Sequence, residues 1–286
     1  MRNLDQVIAT TTQCQSLTHQ ALSSSMPLTS DVQVLDKPVI VSFTTYSTRI
    51  HDVHLVIESL GLQTIKANRI LLWLDEDEFS LETIPEILKI QMTRGLEVRF
   101  CPNYRSYKKL IPTLQVEPNA HVITTDDDLL YPHDFVELLI KEHQRSPNAI
   151  VGFRSHTMTF DDQKKLKPYK NWKREDSFNN NSSHTFLTTG AGTFFPARVL
   201  PEEMTNSDLF MTLSPSADDV WINLMAMKHG IQRKKLSDDR YFSSRFCHLP
   251  FGQDLALHKR NVGEGGNDAQ ANAIIEHFSL QFTSPL

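Results

Sequence analysis

The sequence is short of the features that would settle its class at once. It has three cysteines, Cys14, Cys101 and Cys247, far apart and without a CxxC pair. That argues against a zinc site or a disulfide framework and favours a reducing, cytoplasmic compartment. No run reaches the roughly 18 apolar residues of a transmembrane helix. The start, Met1-Arg2-Asn3-Leu4-Asp5, lacks the apolar core of a signal peptide. Any membrane contact is therefore expected to be peripheral, at the inner face of the membrane. Basic residues are not in excess: 29 Lys and Arg against 34 Asp and Glu give a net charge of −5, which argues against a general nucleic-acid binder. Neither GxGxxG nor a Walker A loop occurs, which weakens the case for a dinucleotide enzyme or a P-loop NTPase.

What is present is a regular alternation of apolar runs. The 286 residues suffice for one large α/β domain. Residues 1–36, rich in Thr, Ser and Gln, read as an N-terminal extension with at most one short helix. A catalytic domain is expected over 37–262 and a helical tail over 263–286. Short apolar runs predict strands at 39–43, 69–74, 96–100, 121–125 and 149–153, with one more at 231–235. Val53, Val56, Ile57 and Leu60 share one face of a helix. Further helices are expected at 84–93, 107–114 (irregular at Pro112), after Pro132, at 218–229 and at 267–278. Residues 161–184 read as a long surface loop. The alternation predicts an α/β, Rossmann-like fold: a mostly parallel sheet sandwiched by helices, with ligands at the carboxyl ends of its strands.

Three polar loops fall on that edge: 44–49 with Thr45 and Arg49, 75–78 with Asp75, and Asp126-Asp127-Asp128. Three adjacent carboxylates repel one another unless a cation sits among them, and Mg²⁺ or Mn²⁺ favours such oxygen ligands together with phosphates. Alternate residues of an extended segment point the same way, so Asp126 and Asp128 can act together. A solvated acidic turn would use the same residues. Asp218-Asp219 opens an apolar helix: Asp219 is the candidate general base, with Asp218 its partner or a helix cap. Lys109, in Ser106-Tyr107-Lys108-Lys109, and Arg49 are candidates to offset phosphate charge. Gly190 and Gly192 permit close backbone approach or simply a turn. Among twelve histidines, His248 and His258 lie late enough in the chain to complete a metal shell. The basic run Lys164 to Arg174 is either a solvated loop or a site for an anionic acceptor or lipid head group.

The segments PVIVSFTTYSTRI, IESLGLQT, RILLWLDEDEF, SYKKLIP, ITTDDDLLYPHDF, GAGTFFP and SADDVWINLMAMKHG, in that order, resemble the GT-A glycosyltransferases, specifically the family-2-like enzymes of bacterial capsule and lipopolysaccharide loci. The resemblance implies a GT-A fold and transfer from a nucleotide-diphospho-sugar, UDP by family frequency, to a glycan or lipid-linked acceptor in surface polysaccharide synthesis. Asp126 and Asp128 match the DxD metal motif, and Asp218-Asp219 matches the acidic pair usually written Glu-Asp. The donor-binding set then reads Thr45, Arg49, Asp75, Lys109, Asp126, Asp127, Gly190 and Gly192, with Asp126, Asp128 and His248 on Mn²⁺ or Mg²⁺. The second strand ends in Leu-Asp-Glu rather than Asp-Asp-Gly-Ser, and Gln-x-x-Arg-Trp is missing, which points to transfer of single sugars. One base and no evident nucleophile favour inversion, by analogy with glycosidases. The alternatives are a sugar-phosphate nucleotidyltransferase, against which stands the lack of glycine in Thr44–Arg49, and a non-catalytic nucleotide- or carbohydrate-binding protein.

Overall fold

The computed structural model describes residues 4–175, 184–238, 240–249 and 265–282. Along the chain the elements are α1 (Leu4–Ser23), β1 (Val39–Thr44), α2 (Val53–Gly61), β2 (Arg69–Asp75), α3 (Glu86–Met92), β3 (Leu96–Cys101), α4 (Ile111–Val116), β4 (His121–Thr124), β5 (Leu129–Leu130), α5 (Phe135–Arg145) and β6 (Ile150–Gly152). There follow β7 (Ser155–Thr157), β8 (Lys173–Glu175), β9 (Thr185–Leu187), β10 (Thr193–Phe195), α6 (Ser207–Leu213), α7 (Asp218–Lys228), β11 (Arg233–Lys235), α8 (Phe242–Arg245), β12 (Cys247–His248) and α9 (Gly266–Phe278).

The main sheet has the order β11-β6-β10-β4-β1-β2-β3. All its pairings are parallel except those of β10, which runs against both β4 and β6. The fold is thus α/β with a mostly parallel sheet between helices, as the alternation predicts. Successive residues of a strand enter opposite cores. Ile123, Val151 and Phe194 join the core beneath α2, α3 and α5. Their neighbours Val122, Ile150 and Phe195 join the core beneath α6, α7 and α9. β1 continues outward to β2 and β3, whereas β4 returns on its other side. The carboxyl ends of β1 and β4 therefore meet at a topological switch point, where open α/β sheets leave a crevice.

Three expectations are corrected. The extension at 1–36 holds not a short helix but α1, of 20 residues. Its buried Leu17 and Ala21 and its packing on α2 and α3 supply the order that its weak periodicity does not. Arg94 anchors its far end, donating to Gln20 O and Met26 O while forming a buried ion pair with Glu58 at 2.6 Å. Covered by the sheet on one side and α1 on the other, α2 is buried at every position.

Residues 161–184 are not all loop. β8 lies in this stretch and joins β7 and β9 in a second, antiparallel sheet of order β8-β7-β9; positions 176–183 are outside the described residues. Residues 107–114 do not form one helix. A 3-10 turn (Arg105–Lys109) precedes α4, which Pro112 can enter because its missing N–H falls in the first turn. No helix among the described residues is long and apolar enough to cross a membrane.

Candidate active site

At the switch point the chain builds a cleft of about 490 Å³. One wall is Asp126–Asp128. Thr125 N–H still donates to Ser42 O, after which the chain turns at Asp127 and Asp128. These two carboxylates meet Arg49 while Asp126 faces Lys109, and not Asp126 with Asp128 as the extended alternation predicts. Asp127 turns inward: Oδ2 accepts from Thr45 Oγ1 at 2.6 Å and Oδ1 from Arg49 Nη1 at 2.5 Å. Arg49 Nη2 also donates to Asp128 Oδ2 at 3.0 Å. Side-chain exposure runs 42, 5 and 17% across Asp126, Asp127 and Asp128. Burial lifts the Asp127 carboxyl to about 6 despite Arg49 and Thr45. Burial, then the charge of Asp126, also raises Asp128.

The second acidic pair arrives from the other half of the chain. The N-cap of α7 is Ala217, so Asp218 is the first helical residue and not the cap that one reading of the sequence allowed. Asp218 Oδ2 lies 3.0 Å from Lys109 Nζ, which also stands 3.3 Å from Asp126 Oδ1. Lys109 thus bridges two clusters 92 positions apart (218 minus 126). Burial alone would lower its pKa, but Asp126, Asp218 and Asp219 outweigh burial and raise it. For Asp218 too burial is overcome, and Lys109 holds the carboxyl below its ordinary range. Asp219 goes the other way, raised by burial and by the charge of Asp218. It accepts from Thr189 N–H at 2.8 Å and from Thr189 Oγ1 at 2.5 Å. Asp219 is thus a half-buried carboxyl of raised pKa on the cleft wall, a setting in which a carboxylate can take up a proton.

The two walls are fastened together. The Tyr131 hydroxyl accepts from Asp126 N–H at 2.7 Å and donates to Gly190 O at 2.8 Å. Thr124 Oγ1 donates to Thr189 O at 2.6 Å. Gly190 lies so close that a Cβ there would run into the Asp126 carboxylate. Gly192, at φ 104°, packs its backbone on Phe135 and lies outside the cleft.

The cleft therefore collects Arg49, Lys109, Asp126, Asp127, Asp128, Gly190, Asp218, Asp219 and His248. His248 is carried there by β12, which pairs with β5, and it acts electrostatically on Asp128. Thr45 lies behind Asp127. Asp75 is turned away and buried against Lys108 Nζ at 3.7 Å, so the adjacent lysines serve different carboxylates. His258 lies outside the described residues. Nothing in the sequence marks Tyr131 as the fastener, or Arg154 and His156 on the cleft wall. The basic run 164–174 contributes only Tyr169 and Arg174 to it.

Among the described residues no group of three or more His, Cys, Asp and Glu converges as a ready metal cage. Asp126 and Asp128 nevertheless suit Mg²⁺ or Mn²⁺ in kind. They are hard oxygen donors whose mutual repulsion raises Asp128, and these ions are usually held by one or two carboxylates plus phosphates and water. A larger cavity, about 700 Å³ beside β11, has no carboxylate among its described lining residues.

No family model and no curated protein matches the chain. Among solved structures, one similar to it is a CMP:2-keto-3-deoxy-manno-octonic acid synthetase complexed with CTP. That match has 10% identity and a TM-score of 0.45, covering 80% of this chain and 100% of that one. So distant a likeness concerns the course of the backbone and assigns no residue a role. The expectation of glycosyl transfer is corrected to this extent: the solved structure found is a synthetase and not a glycosyltransferase, so the comparisons lend that expectation no support.

Proposed function

We propose that the chain is a divalent-cation-dependent nucleotidyltransferase, joining a sugar hydroxyl to the nucleotidyl group of a nucleoside triphosphate with release of pyrophosphate. The observation that carries this reading is Lys109, bridging Asp126 on the cation-compatible wall and Asp218 beside the raised carboxyl of Asp219. A phosphate-compatible charge and a base thus sit within one ion-pair network. The absence of glycine from 44–49 is no obstacle, since Ser47 itself takes the left-handed conformation there, at φ 51°.

Asp126 and Asp128 would hold Mg²⁺ or Mn²⁺, which supplies charge neutralisation at the triphosphate. Lys109 adds a fixed positive charge that needs no reorganisation. Asp219 takes the proton of the sugar hydroxyl as its oxygen bonds to the α-phosphorus; the bond from that phosphorus to the bridging oxygen breaks and pyrophosphate leaves. Thr189 holds the Asp219 carboxylate by two donors and so fixes its direction.

The test is incubation with Mn²⁺, the common nucleoside triphosphates and a panel of sugars, following pyrophosphate. Metal-dependent pyrophosphate release with sugar present is expected. Release of a nucleoside diphosphate from nucleotide sugars, with no pyrophosphate from triphosphates, would overturn the reading.

A further inference from the structure

The cations of the cleft fall into two kinds. Arg49 and Lys109 are each held between carboxylates. Arg154 and Arg174 have no carboxylate partner among the described residues, although both line the same cleft.

Their placement follows from the small sheet. Arg154 immediately precedes β7 and lines the cleft together with His156. His156 and Arg174 are directly opposed in the β7–β8 ladder and share a face of it. Arg154 is pinned by its own backbone, its carbonyl accepting from Thr188 N–H at 3.0 Å, and its guanidinium lies over the Phe242 ring at 5.7 Å. Tyr169 meets the His156 ring edge-on, with centroids 5.6 Å apart. The Tyr169 hydroxyl interacts with Asp219 as well as with both arginines, which puts this cationic face within electrostatic range of the proposed base. Two guanidinium groups without a carboxylate partner among the described residues, on the wall of a cleft that also holds phosphate-compatible groups, suit a second oxyanion. The lysines at 164 and 165 belong to a different cavity, beside α9.

We propose that Arg154 and Arg174 form an oxyanion subsite that selects an anionic sugar, its carboxylate or phosphate group held on the β7–β8 face while a hydroxyl is presented to Asp219. The naming of a sugar rests on the function proposed above; the anion subsite itself does not.

Two measurements on the full chain separate the inference from that function. Binding is measured by ligand-observed NMR without nucleotide or metal, using glucuronate, glucose 6-phosphate and glucose as probes. The two anions are expected to bind and glucose at least about tenfold more weakly. A preference between glucuronate and glucose 6-phosphate identifies the source of the anion. In the variant Arg154→Gln/Arg174→Gln, anion binding should fall at least about tenfold, while Lys164→Gln/Lys165→Gln should leave it unchanged. The single variants Arg154→Lys and Arg174→Lys, which keep the charge, should retain part of the binding and guard against a misfolded double variant. Equal binding of glucose, or anion binding untouched by the double variant, would overturn the subsite. Pyrophosphate release is followed separately: arginine-dependent anion binding without it would remove the transferase reading and leave the subsite standing.

Discussion

The two acidic clusters of the cleft have similar composition and opposite treatment. At the strand end, a guanidinium grips Asp127 and Asp128 from their own side and leaves Asp126 the most exposed of the three. At the helix start, Lys109 takes Asp218, and Asp219 is left with the donors of Thr189. The first arrangement shares one guanidinium between two carboxylates, yet burial raises both. The second separates a pair, holding one member ionised and raising the other toward the pH at which it can trade protons. Burial pushes all four of these carboxyls up, and only at Asp218 does a neighbouring cation overcome it.

The sharpest way to break this contrast is Asp219→Asn. Removing a general base typically costs about 100- to 10,000-fold in rate, and pyrophosphate release should fall accordingly with the melting temperature nearly unchanged. In the parent protein the acid limb of kcat/KM should lie above the ordinary carboxylate range, because the Asp219 pKa is raised. Next in size, Arg49→Ala leaves Asp127 buried without its ion partner. A loss of about 3 kcal/mol is expected, read as a fall of roughly 6–12 °C in melting temperature.

A comparable effect is expected from pH in metal-free protein. Burial raises Asp127 to about 6, so between the ordinary aspartate value and that point the folded chain binds the proton more tightly than the unfolded one. Stability from this group is therefore full at low pH and lost as pH climbs through that window. Its share should be on the order of 2–3 kcal/mol between pH 4 and pH 7, read as the difference between the parent and Asp127→Asn in urea unfolding, since Asp219 is raised in the same way. The smallest effect is expected from Gly190→Ala, whose Cβ pushes Asp126 aside. Affinity for a manganese–nucleotide complex, measured by calorimetry, should weaken about tenfold, with Asp219 geometry preserved.

How far the site was legible follows from the range of the forces involved. β1, β2, β4 and β6 are readable as short apolar runs, β3 by its alternation of apolar and charged residues, and α7 because its apolar residues surround it. The acidic clusters stood out by residue type alone. Lys109 stands out in the sequence, but that Lys108 turns to Asp75 instead does not, since the 3-10 turn at 105–109 sets the direction of each side chain. The β7–β8 ladder was hidden for a different reason. Lys173-Arg174-Glu175 has no strand-like alternation, and its pairing with Ser155–Thr157 is a contact across 16 to 20 positions (173 minus 157, 175 minus 155). α1 was underestimated because its order comes from Arg94 and from packing, both remote in sequence.

The Tyr131 hydroxyl has a consequence of its own. One hydroxyl accepts a hydrogen bond from the backbone of one lip and donates one to the backbone of the other. It works as a gauge block, setting the gap between the lips before anything enters. The entropy of bringing them together is spent during folding, so a visiting ligand meets a jaw already set to width.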